Sequence, residues 1–396
     1  MPTRTLATPD VLVLGAGLAG LRAAWAAAEA EPGLNISLAT LLPGPSGSSF
    51  ANRNNELGMQ VPLTDKERAD YVRETLALAA PGTAAPELVR LVAREAEARF
   101  HDMRALGLRF QTNSDGGLLR RPGCFSKAPR AAVFRDLSHA HALYRAHCER
   151  LNVRFLYGWE ILKVERDTQG IYGVRMRNAS VEERGIETRS LIMALGGPAP
   201  LHGRHIAGPG NSGRSWGMLK QAGARMENAD YLQYMWFSLE DKNFRSPADL
   251  AGPDAVVRTP DGREVAPSAK IMALADSRRS HCPAAYGPIN GVPDYAMDQW
   301  LQEQANADGV VRVKVGDGNW EDVALFAHAG NGGALVNVDG AVLDAGSGEP
   351  LPGLFACGEC ATGMHGANRL GGGMVTATQV FGKRAGEAAA AYAAGA

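Results

Sequence analysis

The first apolar positions of the chain come as one short block, Val11-Leu12-Val13-Leu14, closed by Gly15. A solid apolar block between turn residues predicts a strand buried on both faces. An alanine-rich run follows to about Ala30, and Pro32-Gly33 stops it as a helix. A second apolar run over 36–42 predicts another buried strand, so the chain opens as a strand–helix–strand unit. Residues 65–80, Pro86–Leu106 and 135–151 carry apolar positions at helical spacing, the pattern of surface helices. Segments 153–157, Glu160–Arg166, 170–177 and 188–194 read as strands, the middle ones forming a meander. A helix is predicted over 215–222, and short strands over 334–342 and 354–356. From 237 to about 324 the periodicity fades, while Pro, Asp and charged residues become frequent. That stretch reads as an insertion, dividing the chain into 1–236, an inserted domain at 237–325, and a return to the first domain at 326–396.

Composition narrows the class. The chain has 396 residues, more than one ordinary domain, and 45% hydrophobic content gives it ample core material. A net charge of −1 offers nothing to nucleic acid or an anionic membrane surface. No apolar run approaches the length that spans a bilayer, so no membrane insertion is expected. The start runs almost straight into the first strand, so no signal peptide is expected. Cysteines at 124, 148, 282, 357 and 360 are odd in number and scattered, which suits a reducing cytoplasm.

The first turn reads Gly15-Ala16-Gly17-Leu18-Ala19-Gly20, a GxGxxG between a buried strand and a helix. In that context Gly15 permits the turn, Gly17 lets a pyrophosphate approach the backbone, and Gly20 allows close helix–strand packing. The acidic residue that would hold an NAD ribose is missing, since Ala39 and Thr40 occupy its place. Instead the second strand runs into Pro43-Gly-Pro-Ser46-Gly-Ser48-Ser49, rich in hydroxyls and backbone donors that suit a diphosphate or a flavin edge.

Residues 357–386 form the densest concentration of ligand-type residues. They include Cys357-Gly358-Glu359-Cys360, then His365-Gly-Ala-Asn-Arg369, three consecutive glycines, and an uninterrupted helical run. Arg369 is a ready partner for a carboxylate, and the helix after Gly373 points free N–H groups at whatever precedes it. Cys357 and Cys360 are read as small buried residues rather than a redox pair. His139, His141 and His147 are read as solvated helix histidines, and His202, His205 and His281 as loop or surface histidines. No metal site is expected.

These motifs fall in the order and spacing of a known family. The chain resembles the flavoprotein subunits of succinate dehydrogenase and fumarate reductase, and their relative L-aspartate oxidase. The matching pieces are GAGLAG at 15–20, the Ser-rich loop at 46–49, ALGG at 194–197, QAGARMENADYLQ at 221–233, AHAGNGG at 327–333, CGE at 357–359 and HGANRLGG at 365–372. The resemblance implies an α/β architecture: a Rossmann-like FAD-binding domain with an inserted α+β capping domain that closes over the flavin. It implies FAD held by Gly15, Gly17, Gly20, Ser46, Ser48, Ser49, Asn52, Gly196, Gly197 and Gly358. Glu359 would bind the ribityl chain, and Met374 and Val375 would direct backbone N–H groups at the flavin pyrimidine edge. His328 and Arg369 would hold a substrate carboxylate, with Arg278 or Arg279 of the cap as the proton-transferring group.

The chain also departs from that pattern. Gly47 stands where relatives attach FAD covalently through a histidine, so the flavin is expected to be non-covalent. A Gln-Gly-Gly turn is replaced by Asn52-Arg53-Asn54-Asn55, whose Arg53 could neutralise a carboxylate or the reduced ring. The family's His-Pro-Thr after Gln233 is replaced by Met235-Trp236-Phe237, putting Met235 and Phe237 in the substrate pocket in place of polar groups. A substrate with one carboxylate and an apolar part follows from that exchange. The family's C-terminal helical domain has no counterpart, so the usual surface for an iron–sulfur partner is expected to be missing. The expected protein is a cytoplasmic FAD-dependent oxidoreductase of a small carboxylate or amino acid, working by hydride transfer at flavin N5. The alternatives are a flavoprotein subunit that passes electrons to a partner protein, and a reductase of an activated C=C bond.

Overall fold

In a computed structural model, residues 8–168, 170–281, 284–286 and 292–395 are described; Cys282 and the residues leading into the first strand lie outside them. The solid apolar block forms the strand Val11–Leu14, central in a six-stranded sheet. Across the sheet the order is Ala341–Leu343, Pro350–Ala356, Ser190–Met193, Val11–Leu14, Ile36–Thr40 and Arg154–Tyr157. All neighbours are parallel except the first pair. Parallel strands need cover on both faces, and every residue of Val11–Leu14, Ile36–Thr40 and Ser190–Met193 is buried.

The cover includes the helix Leu18–Ala30 and the last helix, Gly373–Gly395, which pack against each other through small residues. A Cβ added at Gly386 would stand 2.3 Å from the Ala23 carbonyl oxygen, so no larger residue keeps that spacing. The helix Pro86–Leu106 ends on Gly107 at φ +111°, and its apolar face is buried against the same core.

A second six-stranded sheet runs Glu264–Val265, Ala255–Arg258, Val310–Val315, Glu321–Gly330, Leu232–Ser238 and Ala284–Tyr286, antiparallel throughout. It has a core of its own, with Trp236, Leu250, Val257, Met297, Leu301, Val311, Val313 and Val323 buried together. Its two longest strands, Leu232–Ser238 and Glu321–Gly330, pair along their length. The expected domain limits at 236/237 and 325/326 fall inside these two strands.

Several elements differ from the sequence reading. The expected strand over 188–194 is two strands. Glu183–Thr188 is mostly exposed and completes the meander with Glu160–Arg166 and Tyr172–Arg177, whereas the fully buried Ser190–Met193 enters the main sheet. The hydroxyl-rich loop contains a short helix, Gly47–Phe50. The paired strands Glu56–Gln60 and Pro129–Arg135 carry no clear signal in the sequence, because neither alternates cleanly and the first contains Gly58. Among the described residues no helix is long and apolar enough to cross a membrane.

Candidate active site

Register places the site. Leu14 lies level with Ala39 and Met193, and Met193 with Ala356, so four parallel strands end at one edge of the sheet. The chain leaves that edge at Gly15, Leu41, Ala194 and Cys357, and the four loops converge on a cavity of ≈530 Å³. The carboxyl ends of a parallel sheet are where doubly wound folds bind ligands.

The turn after the first strand is closed by packing. Gly15 has φ +105°, and a Cβ on it would come within 2.3 Å of the Ala194 carbonyl oxygen. A Cβ on Gly20 would fall 1.9 Å from the Gly15 carbonyl oxygen. Gly17 is different: nothing lies within 4 Å of where its Cβ would be, and it lines the cavity. One glycine fits helix to strand, and the other keeps a wall bare.

Of the residues singled out from the sequence, Gly15, Gly17, Ser46, Ser48, Ser49, Asn52, Gly196, Gly358, Glu359, Met374 and Val375 all line this cavity. So do Met235, Phe237, His328 and Arg369, which arrive from the other sheet and from the loop before the last helix. Gly20 and Gly197 stand behind the wall. A Cβ at Gly197 would press within 2.5 Å of a Glu359 carboxylate oxygen, so that glycine makes room for the carboxylate.

Arg369 is 8% exposed, and among the described residues it forms no ion pair with an Asp or Glu. Its Nη1 donates instead to the side-chain oxygen of Asn331, while its backbone N–H donates to Asn368 Oδ1 at 2.9 Å. Burial pulls its pKa down to about 10, with the Glu359 charge acting the other way. A guanidinium is still a cation at that value near neutral pH. Gln233 Nε2 donates to the same Asn368 oxygen at 2.6 Å, and Asn368 Nδ2 donates to Tyr295 Oη at 3.2 Å. A buried amide network, tied to the second sheet through Gln233, therefore fixes the arginine.

Two other titratable groups share the wall. Glu359 accepts from the Gly330 N–H at 2.9 Å, and burial raises its pKa. His328 has its pKa lowered to about 3, first by burial and then by Arg369, so it is neutral; its Nδ1 has no hydrogen-bond partner among the described residues. Arg53 also lines the cavity, but it is exposed and its Nη1 donates to the Lys242 carbonyl at 2.5 Å.

Neither cap arginine lies on the wall. Arg278 is fully buried within the second unit, where its Nε donates to Asp298 at 2.8 Å. Asp298 also accepts from Trp236 Nε1 at 2.9 Å, so this ion pair is part of the packing under the sheet. Arg279 pairs with Asp249 at 3.2 Å on the surface. His281, expected to be a loop or surface histidine, is 4% exposed, hydrogen-bonded to Asp294 at 3.1 Å and stacked on Phe125 at 4.2 Å. His141, expected to be solvated, is likewise 4% exposed, with its pKa lowered by burial to about 4. In both cases neighbours far along the chain cover the ring, which helical spacing alone does not report.

Gln233, Phe244, Ile206 and Cys124 line the cavity in addition to the residues expected there. Alternation on the strand Leu232–Ser238 offers a signal for the first of these. Gln233 shares a strand face with Met235 and Phe237, while Trp236 points into the core beneath. For the other three no local pattern exists.

The residues present fit FAD. The helix Leu18–Ala30 begins at bare Gly17, with no side-chain cap and no acidic residue in its first turn, which leaves its N-terminus to an anion such as a diphosphate. Ser46, Ser48 and Ser49 line the same cavity. At the other end the helix Gly373–Gly395 presents Met374 and Val375 in its first turn.

Comparison with known proteins agrees. Residues 10–375 match the family described as FAD binding domain. The L-aspartate oxidase of Caulobacter vibrioides is 30% identical over 96% of this chain and 76% of its own length. One subunit of the CoM/CoB fumarate reductase of Methanothermobacter marburgensis is 25% identical over 96% of this chain and 72% of its own length. Among solved structures, a chain of an E. coli quinol fumarate reductase variant superposes with a TM-score of 0.73 at 22% identity, covering 98% of this chain and 70% of that one. A bare GxGxxG turn, a helix start at the far end of one cavity and a match along nearly the whole chain have one common explanation: this protein is an FAD-dependent oxidoreductase of the succinate dehydrogenase and fumarate reductase flavoprotein family.

Proposed function

We propose that the protein transfers a hydride between a small carboxylate or amino-acid substrate and flavin N5, with the substrate held between the second sheet and the loops of the first. The observation that carries this reading is Arg369, a buried cation on the cavity wall with no carboxylate of its own among the described residues. A buried cation whose side-chain hydrogen bond goes to an amide and not to a carboxylate is costly, so an anionic ligand would stabilise the site.

Bound FAD supplies the two-electron acceptor. Arg369 binds and orients the substrate carboxylate, and Asn331 and Asn368 hold the arginine in place. Neutral His328 can donate or accept one hydrogen bond at the same end without adding charge. Glu359, bonded to the Gly330 N–H, serves the ribityl side of the cofactor. With Arg278 and Arg279 engaged elsewhere, the described titratable groups on the wall with Arg369 include His328, Cys124 and Glu359. The second sheet and the helices packed on it act as the cap on the domain built around the first sheet, with FAD held non-covalently beside Gly47.

The test is anaerobic reduction of the purified flavoprotein by a panel of carboxylates and amino acids, followed by admission of oxygen. Bleaching of the flavin by a carboxylate, lost in Arg369→Ala while FAD stays bound, supports the reading. Equal bleaching in wild type and variant refutes it.

A further inference from the structure

The cavity has a polar end and an apolar end, and one strand runs between them. On Leu232–Ser238 the residues Gln233, Met235 and Phe237 face the cavity in succession. Gln233 is tied to Asn368, the residue before Arg369, which fixes the polar end of the strand. Same-face residues on a strand are roughly 6.5–7 Å apart, so Met235 lies one step and Phe237 two steps from the carboxylate end. Phe237 is 6% exposed and packs on Phe244 at 6.2 Å and Phe326 at 5.3 Å between ring centroids. Ile206 and Phe244 join Met235 and Phe237 in this cluster and line the cavity with them. The strand thus reads outward as amide, thioether, aromatic ring.

A second carboxylate on a short substrate would meet Met235 and Phe237, and would be desolvated against groups that cannot hydrogen-bond it. Another cation on the wall, Arg53, is exposed and donates to the Lys242 carbonyl. From this placement we propose that the substrate is a monocarboxylate whose apolar tail, alkyl or aryl, lies along Met235 toward Phe237 and Phe244. The proposal rests on the reading of Arg369 as the carboxylate anchor.

Titration of the FAD-loaded protein with 3-phenylpropanoate, hexanoate and succinate tests it, following the visible flavin spectrum and, separately, binding heat. The two monocarboxylates are expected to bind at least tenfold more tightly than succinate. Phe244→Ala and Phe237→Ala should each weaken 3-phenylpropanoate severalfold without weakening succinate; Phe244 is the less buried, so its variant keeps the test usable if the other fails to fold. Succinate binding as well as or better than the monocarboxylates overturns the tail assignment and leaves the carboxylate reading intact. If none of the three binds, the anchor role of Arg369 fails and the proposal falls with it.

Discussion

Arg369 hydrogen-bonds Asn331 where a buried arginine would ordinarily meet a carboxylate. Asn331 is itself 1% exposed and held by the Ala367 carbonyl, to which its Nδ2 donates at 3.1 Å. The amide aims the guanidinium without neutralising it. Orientation and charge are thereby separated, and in the function proposed above the charge serves a ligand.

Asn331→Asp should therefore act in opposite directions on stability and binding. A carboxylate there would pair with Arg369, raising the thermal midpoint by a few degrees and weakening carboxylate binding roughly tenfold or more. Calorimetric unfolding and ligand titration on the same preparation check this. A variant that binds carboxylates normally would show that Arg369 is not held in reserve.

Gly17 and Gly20 should fail differently. Gly17→Val places methyl groups into open cavity, so the protein is expected to fold and to lose FAD affinity roughly tenfold or more. Gly20→Ala drives a Cβ against the Gly15 carbonyl, and is expected to destabilise the fold by about 1–3 kcal/mol. Flavin content after gel filtration and urea unfolding distinguish the two.

Acid should unfold the protein through its buried histidines. His365 is 2% exposed, its Nε2 has no partner among the described residues, and burial with nearby Arg369 lowers its pKa to about 3. An unfolded histidine protonates near pH 6.5, so stability is full above that value and falls as pH drops toward 3. At pH 5 the loss from this one residue is about 2 kcal/mol, from 1.36 kcal/mol per unit below 6.5. His365→Gln should flatten the stability curve between pH 7 and 5; an unchanged curve would place the acid sensitivity in other groups.

Cysteine labelling should report on the cavity. Cys124 lines it and is half-buried, while Cys148, Cys357 and Cys360 are buried and burial raises their thiol pKa. Iodoacetamide is expected to modify Cys124 first among these four, more slowly when 3-phenylpropanoate is bound. Peptide mass spectrometry with and without the ligand measures both.

Much of the cofactor half is legible in the sequence. The apolar block Val11-Leu12-Val13-Leu14, the glycines behind it, the serine loop and the helix after Gly373 are local patterns, and each carries its own turn or period. The second sheet is not legible to the same degree. Its strands Leu232–Ser238 and Glu321–Gly330 pair across more than eighty intervening residues, and neither alternates cleanly because both faces of each are partly covered. The adjacent arginines show the limit most sharply. Arg278 and Arg279 are neighbours in sequence, yet one is a buried partner of Asp298 and the other a surface partner of Asp249. Helical geometry turns consecutive side chains about 100° apart, and only the packing decides which face is inside.

The sequence by itself determined the nucleotide-binding start of the chain and the choice of flavin over NAD, because these depend on residue types within short segments. The tertiary structure alone decided that Arg369 lacks an acidic partner among the described residues, that Phe244 and Ile206 extend the apolar wall begun by Met235 and Phe237, and that the cap arginines face away from the cavity. Those facts depend on which distant segments come together, and a charge or a ring gains its meaning from what surrounds it.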